Sequence, residues 1–192
     1  MNADSLQIVE LARDVAATII PDGTPVTLPA GTTVRITQAL GGSYTIQLER
    51  GGKYRIEGRD ADAIGQEPTE APAEPTADAV DPATLDEGQL RDAAWKAMRG
   101  VHDPEIPVNI VELGLVYELH LHRRGDGFYF AEVKMTLTAP GCGMGDVLVR
   151  DVQNALTAIP GIETATAEIV FDPVWNPHNM MSEAAKLQLG LL

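Results

Sequence analysis

The run at 67–86, EPTEAPAEPTADAVDPATLD, constrains the fold of this 192-residue chain more than any other. It is rich in Pro, Ala, Glu and Thr and has almost no large apolar residue. Such a composition buries too little surface to offset chain entropy. It is predicted to be an extended, partly stiff linker. Residues 67–88 hold seven acidic side chains and no basic ones, half of the formal net charge of −14. The chain is therefore expected to fold as two small, unlike domains, 1–66 and 87–192, joined by the flexible acidic linker 67–86.

The charge and the apolar pattern exclude several roles. An acidic chain without a basic stripe argues against nucleic-acid binding, and its acidity reads as solubility. No apolar run approaches the roughly 20 residues needed to cross a bilayer, so no membrane partner is expected. The start, Met1-Asn2-Ala3-Asp4-Ser5, has no signal-peptide pattern. A single cysteine, Cys142, cannot staple the fold, and a thiol that must stay reduced suits the cytosol. The expected location is the cytoplasm.

The first domain reads as β-rich. Alternating, β-branched runs at 33–37, 43–48 and 53–57 are split by Gly41-Gly42 and Gly51-Gly52. Such spacing predicts hairpins in a small curled sheet. The stretch 6–20 is ambiguous, with a strand favoured at 15–20 before Pro21-Asp22-Gly23. It offers no catalytic constellation and reads as an interaction or dimerisation domain.

The second domain alternates helices and strands. Leu90, Ala93, Ala94, Ala97 and Met98 recur at helical spacing within 85–99, and Gly100 stops the helix. Strands are predicted at 116–122 and 128–138, around the turn Arg124-Gly125-Asp126-Gly127. A helix at 144–159, a strand at 163–171 and a last helix at 181–189 follow. The order α-β-β-α-β-α gives an α+β (mixed α/β) fold, a three-stranded mixed sheet with helices on one face.

Cys142 sits in Thr138-Ala139-Pro140-Gly141-Cys142-Gly143-Met144-Gly145, between a predicted strand and a predicted helix. Free cysteine is usually a small buried residue, but such residues usually lie inside elements. At a helix start a thiol meets unpaired N–H groups and the positive end of the helix dipole, which favour the thiolate. Three other places attract attention. The loop 103–114 combines rigid prolines with Asp103, Glu105 and Asn109; Asp103 reads equally as a turn cap and as a functional group. The corner 172–178 holds Asp172 and Trp175, the latter read as a packing anchor. Glu118, His120 and His122 share one strand face, read as a solvated face more readily than as metal ligands.

The run Asp103-Pro104-Glu105-Ile106-Pro107-Val108-Asn109-Ile110-Val111-Glu112-Leu113-Gly114-Leu115-Val116-Tyr117 resembles the signature loop of a family of iron–sulfur assembly factors. So do Met135-Thr136-Leu137-Thr138-Ala139-Pro140-Gly141-Cys142 and Asp172-Pro173-Val174-Trp175. That family includes the SufT and PaaD proteins and factors that target clusters to cytosolic apoproteins. Thr24-Pro25-Val26-Thr27-Leu28-Pro29-Ala30-Gly31 and Arg35-Ile36-Thr37-Gln38 resemble the N-terminal extension of SufT proteins. The resemblance implies maturation of iron–sulfur proteins without turnover of a small substrate. The family's reactive cysteine falls on Cys142, as a hypothetical transient iron or cluster ligand. Its acidic loop residues fall on Asp103 and Glu105, with Asn109, Thr138, Asp172 and Trp175 around the site. Implied partners are iron–sulfur carrier or scaffold proteins and client apoproteins.

A cluster normally takes about four protein ligands, mostly thiolates. One cysteine cannot supply them, so a labile cluster or iron would be shared between chains or with a partner, which makes a homodimer or heterocomplex attractive. Two alternatives remain open. One is a cysteine-nucleophile enzyme acting on thioesters or amides, with His102 or His178 as base. The other is a client-docking module without metal chemistry.

Overall fold

Residues 7–68 build their sheet from short strands: β1 (Ile8–Glu10), β2 (Val15–Ile20), β3 (Pro25–Leu28), β4 (Thr33–Leu40), β5 (Ser43–Leu48) and β6 (Lys53–Glu57). The structure is a computed structural model that describes residues 7–68, 84 and 86–191. It divides into two compact units, Met1–Ala71 and Pro72–Leu192. Of the expected linker, residues 69–83 and 85 lie outside the described residues.

The first unit's strands pair antiparallel in the order β1-β4-β5-β6-β2-β3. Gly41 and Gly42, at φ 63° and 71°, form the two-residue turn between β4 and β5. Only glycine takes two successive left-handed residues cheaply. The described part of the ambiguous stretch, 7–20, holds two strands and no helix, and β3 is a strand that the turn-like sequence around it hid. Val15, Val34, Ile46 and Ile56 form the core with Ile64 of a 3-10 helix at Gly58–Ile64.

The second unit opens with α1 (Glu87–Met98), whose Asp86 cap accepts the Gln89 N–H at 2.8 Å. Such a cap satisfies one of the helix's orphan donors. β7 (Val116–Arg123) and β8 (Tyr129–Met135) form a hairpin. α2 (Gly145–Thr157) then crosses over, and β9 (Ile162–Ile169) returns parallel to β8, giving the order β7-β8-β9. This is the expected mixed sheet.

Alternation decides its faces. Tyr129, Ala131, Val133 and Met135 of β8 are buried, with Leu119 and Leu121 of β7, Leu148, Val152 and Leu156 of α2, and Leu90, Ala94 and Met98 of α1. On the opposite face Glu118, His120, His122, Thr164, Thr166 and Glu168 are exposed.

Three expectations need correction. β8 stops at Met135 rather than 138: Thr136 N–H still reaches the Leu115 carbonyl at 2.8 Å, and beyond it the chain passes into the loop that Gly141 turns. β9 spans Ile162–Ile169 and does not reach 171. The last helix, expected at 181–189, is the shorter α4 (Glu183–Gln188), and α3 (Pro177–Met180), which the sequence reading did not include, precedes it with Met181 in extended backbone between them. Asn176 and Ser182 each cap one, which is why the chain restarts.

Candidate functional site

Backbone hydrogen bonds gather the signature segments at one end of the sheet. Thr136, the first residue beyond β8, bonds to Leu115, the last residue before β7. Val170, just beyond β9, donates its N–H to the Met135 carbonyl at 2.8 Å. The Cys142 loop, the 101–115 loop and the 170–181 corner therefore leave the sheet side by side.

The cysteine loop runs from Thr136 to Met144. Thr136 is fully buried, and its hydroxyl finds no hydrogen-bond partner among the described residues. Gly141, at φ 80°, turns the chain. Cys142 N–H reaches the Ala139 carbonyl at 3.4 Å, and the Cys142 carbonyl accepts from Gly145 N–H at 3.1 Å. The side chain is a free thiol, half-buried against the core. The helix cap is Met144, so Cys142 lies two residues ahead of it. Among the described residues no helix N–H donates to the thiol, because the Gly143-Met144 turn stands between them. The strand-to-helix placement holds; the direct contact with the helix start does not.

The 101–115 loop is anchored by buried Val101, Val108, Ile110, Leu113 and Leu115. Asp103 is 6 % exposed, and its carboxylate accepts the Glu105 N–H at 2.8 Å. This is turn chemistry. Glu105 is exposed. Asn109 pairs across the loop with His102, and its side-chain oxygen accepts the N–H groups of Val111 at 3.1 Å and Glu112 at 2.9 Å. His102 turns Nδ1 toward the Gly100 carbonyl at 3.0 Å.

The corner is tied to that loop. Trp175 donates its indole N–H to the Leu113 carbonyl at 2.9 Å, the anchoring role expected of it. Ser182 N–H reaches the Glu112 carbonyl at 2.9 Å. Asp172 is exposed and precedes a cis proline, and Thr138 is half-buried. Sequence reasoning missed Tyr117. Period 2 assigns it to the buried face with Leu119, but the register shifts between Val116 and Glu118. A bulge re-aims a side chain, and here the Tyr117 hydroxyl donates to the Pro173 carbonyl at 2.8 Å.

The histidine face is a set of exposed pairs. His120 Nε2 lies 3.2 Å from Glu118, and His122 Nε2 lies 3.1 Å from Glu132. Lys134 sits 2.9 Å from Glu118. Hydrogen bonds from Lys134 first, and then from His120, hold the Glu118 carboxyl below the usual range. Among the described residues no group of three or more His, Cys, Asp or Glu is set to hold a metal ion. The fold thus gathers the signature loops at one sheet end.

A family model described as iron-sulfur cluster assembly protein matches residues 91–169, from within α1 to the end of β9. The Fe-S protein maturation auxiliary factor of Porphyromonas gingivalis is 41% identical over 104 residues, covering 54% of this chain and 94% of that protein. The chain belongs to the iron–sulfur cluster assembly protein family. Two further members are similar over the same kind of length. The Fe-S protein maturation auxiliary factor YitW of Bacillus subtilis is 35% identical over 105 residues, 55% of this chain and 98% of that protein. The Fe-S protein maturation auxiliary factor SufT of Staphylococcus aureus is 41% identical over 91 residues, 47% of this chain and 98% of that protein. In this family member, no helix among the described residues is long and apolar enough to cross a membrane.

Proposed function

We propose that this protein is an iron–sulfur protein maturation factor that helps pass clusters to client apoproteins, with Cys142 as a transient ligand or contact. The observation that carries the reading is the partly buried Cys142 thiol, the chain's one cysteine, on a glycine-flanked loop of the unit that aligns with maturation factors. The cluster is cargo. One thiolate satisfies a fraction of the about four ligands a cluster takes. The others come from a carrier, a client or a second copy. Sγ binds iron as a thiolate, releasing its proton to water, and a client thiolate displaces it. A one-ligand hold is labile, which suits transfer over storage. Asp103 and Asn109 keep the neighbouring loop rigid, while Glu105 and Asp172 face solvent where a partner docks. The role involves binding and handing over, without turnover of a small substrate, in the cytoplasm.

The test is complementation. In cells lacking the gene, cluster-dependent enzymes are assayed after return of the wild type or Cys142→Ser. The wild type restores activity, and the variant fails despite equal abundance. Full restoration by Cys142→Ser would leave docking without thiol chemistry as the function.

A further inference from the structure

At the sheet end that bears the cysteine loop, the open face holds a shallow groove of about 820 Å³, within the size range of ligand clefts. Its apolar lining includes Val116, Val170 and Met180. Its carboxylates are Glu118, Glu168 and Asp172. Lys134 is the cation among its described lining residues, and Glu118 already holds that ammonium at 2.9 Å. Glu168 lies opposite Lys134 in the β8–β9 register and shares its field, but three carboxylates against one ammonium leave the groove a net negative charge beside an apolar floor. Phe171 and Val174, 44% and 76% exposed, extend the apolar surface along the corner. Large apolar side chains left in water beside an acidic rim mark an interaction surface.

Charge selects the occupant. The chain's own 67–88 stretch, with seven acidic and no basic side chains, is repelled. A second copy, at a net charge of −14, meets the same field. We propose that this groove docks an extended segment of a partner protein in which basic and apolar side chains alternate. The apolar set packs on Val116, Val170 and Met180, and the basic set faces Glu168 and Asp172. The maturation reading supplies only the partner's identity, a client or carrier brought beside Cys142.

The experiment is a titration of the isotope-labelled full chain with a synthetic hexapeptide of alternating lysine and valine, followed by amide shifts. Hexapeptides of alternating glutamate and valine, and of lysine and serine, are the controls. The lysine–valine peptide shifts Val116, Lys134, Glu168 and Val170, and binds roughly fivefold tighter than either control. Its affinity falls as salt rises toward about 0.5 M. The double variant Glu168→Gln/Asp172→Asn, at exposed positions and with its fold checked by a melting curve, weakens it roughly tenfold. Equal binding of the glutamate–valine peptide, shifts centred elsewhere, an unaffected double variant, or a concentration-dependent dimer filling the groove would each overturn the proposal. Cys142→Ser leaves peptide binding unchanged, so failure here and failure of the complementation assay are separate results.

Discussion

The Trp175 indole N–H donates to the Leu113 carbonyl at 2.9 Å across 62 residues of sequence. That bond fastens the 172–178 corner to the loop that leads into β7. Removing the donor leaves a carbonyl without its partner in a half-buried place, worth about 1 kcal/mol. Trp175→Phe keeps most of the ring's packing and is expected to lower the second unit's stability by about that amount. Urea unfolding followed at β8 and α2 amides checks it. An unchanged midpoint would mean that water replaces the indole without cost.

Gly114 makes a sharper demand. Its φ of 71° disfavours any side chain, and an added Cβ would collide with the Met180 carbonyl. Gly114→Ala is expected to cost about 2 kcal/mol or more and to push the corner away from the loop. Gly125 has open space at its Cβ position and no positive φ. Gly125→Ala is therefore the matched control, expected to stay within about 0.5 kcal/mol of the wild type.

The residues that sequence pattern located, and those it did not, divide along a physical line. At Val15–Ile20 a strand was favoured because Thr18, Ile19 and Ile20 run into the turn at Pro21-Asp22-Gly23, although Ala16 and Ala17 left the stretch ambiguous. The β7–β8–α2–β9 order was legible because period 2 and period 3.6 alternate cleanly there. Tyr117 was not, because a bulge cancels the alternation that assigns faces. The breadth of the gap between Cys142 and its helix was not legible either. Gly143 and Met144 belong equally well to a helix start or to a turn, and a hydrogen bond decides between them. The carboxylate of Asp103 turned out to be engaged by a backbone N–H two residues on, one of two readings that its sequence left open. The groove needed three strands and the corner in place before its lining residues met.

Cys142 is half-buried, so its chemistry depends on access. Iodoacetamide is expected to add one carbamidomethyl group to the native protein, more slowly than to the urea-unfolded chain. Mass measurement over time reads both rates. No adduct in the native state would remove the thiol from any encounter with a carrier or client. Cys142→Ser should change stability by about 1 kcal/mol or less, since the side chain is only partly buried and already meets water. Its loss of function would then be chemical rather than structural.

The first unit carries its own pH signature. Arg13 grips Asp62 through two nitrogens, Nε at 2.8 Å and Nη2 at 2.7 Å, and Nη2 also reaches Asp60 at 2.8 Å. The hydrogen bond from Arg13 holds the Asp62 carboxyl below its ordinary value of 3.8. A carboxyl depressed in the folded state binds fewer protons there than in the unfolded chain. Its stabilisation is therefore fully present above the ordinary value and is lost as pH falls through the depressed one. In Arg13→Gln that contribution is missing. Hydrogen exchange at β2 and β6 amides should find the variant less protected than wild type at neutral pH. The gap should stay flat down to about pH 5 and close as the acid range below about 4 is entered. The effect is modest, because these groups are solvent-screened. A gap that widened on acidification would mean that Arg13 repels more than it binds, and would reverse the role given to this cluster.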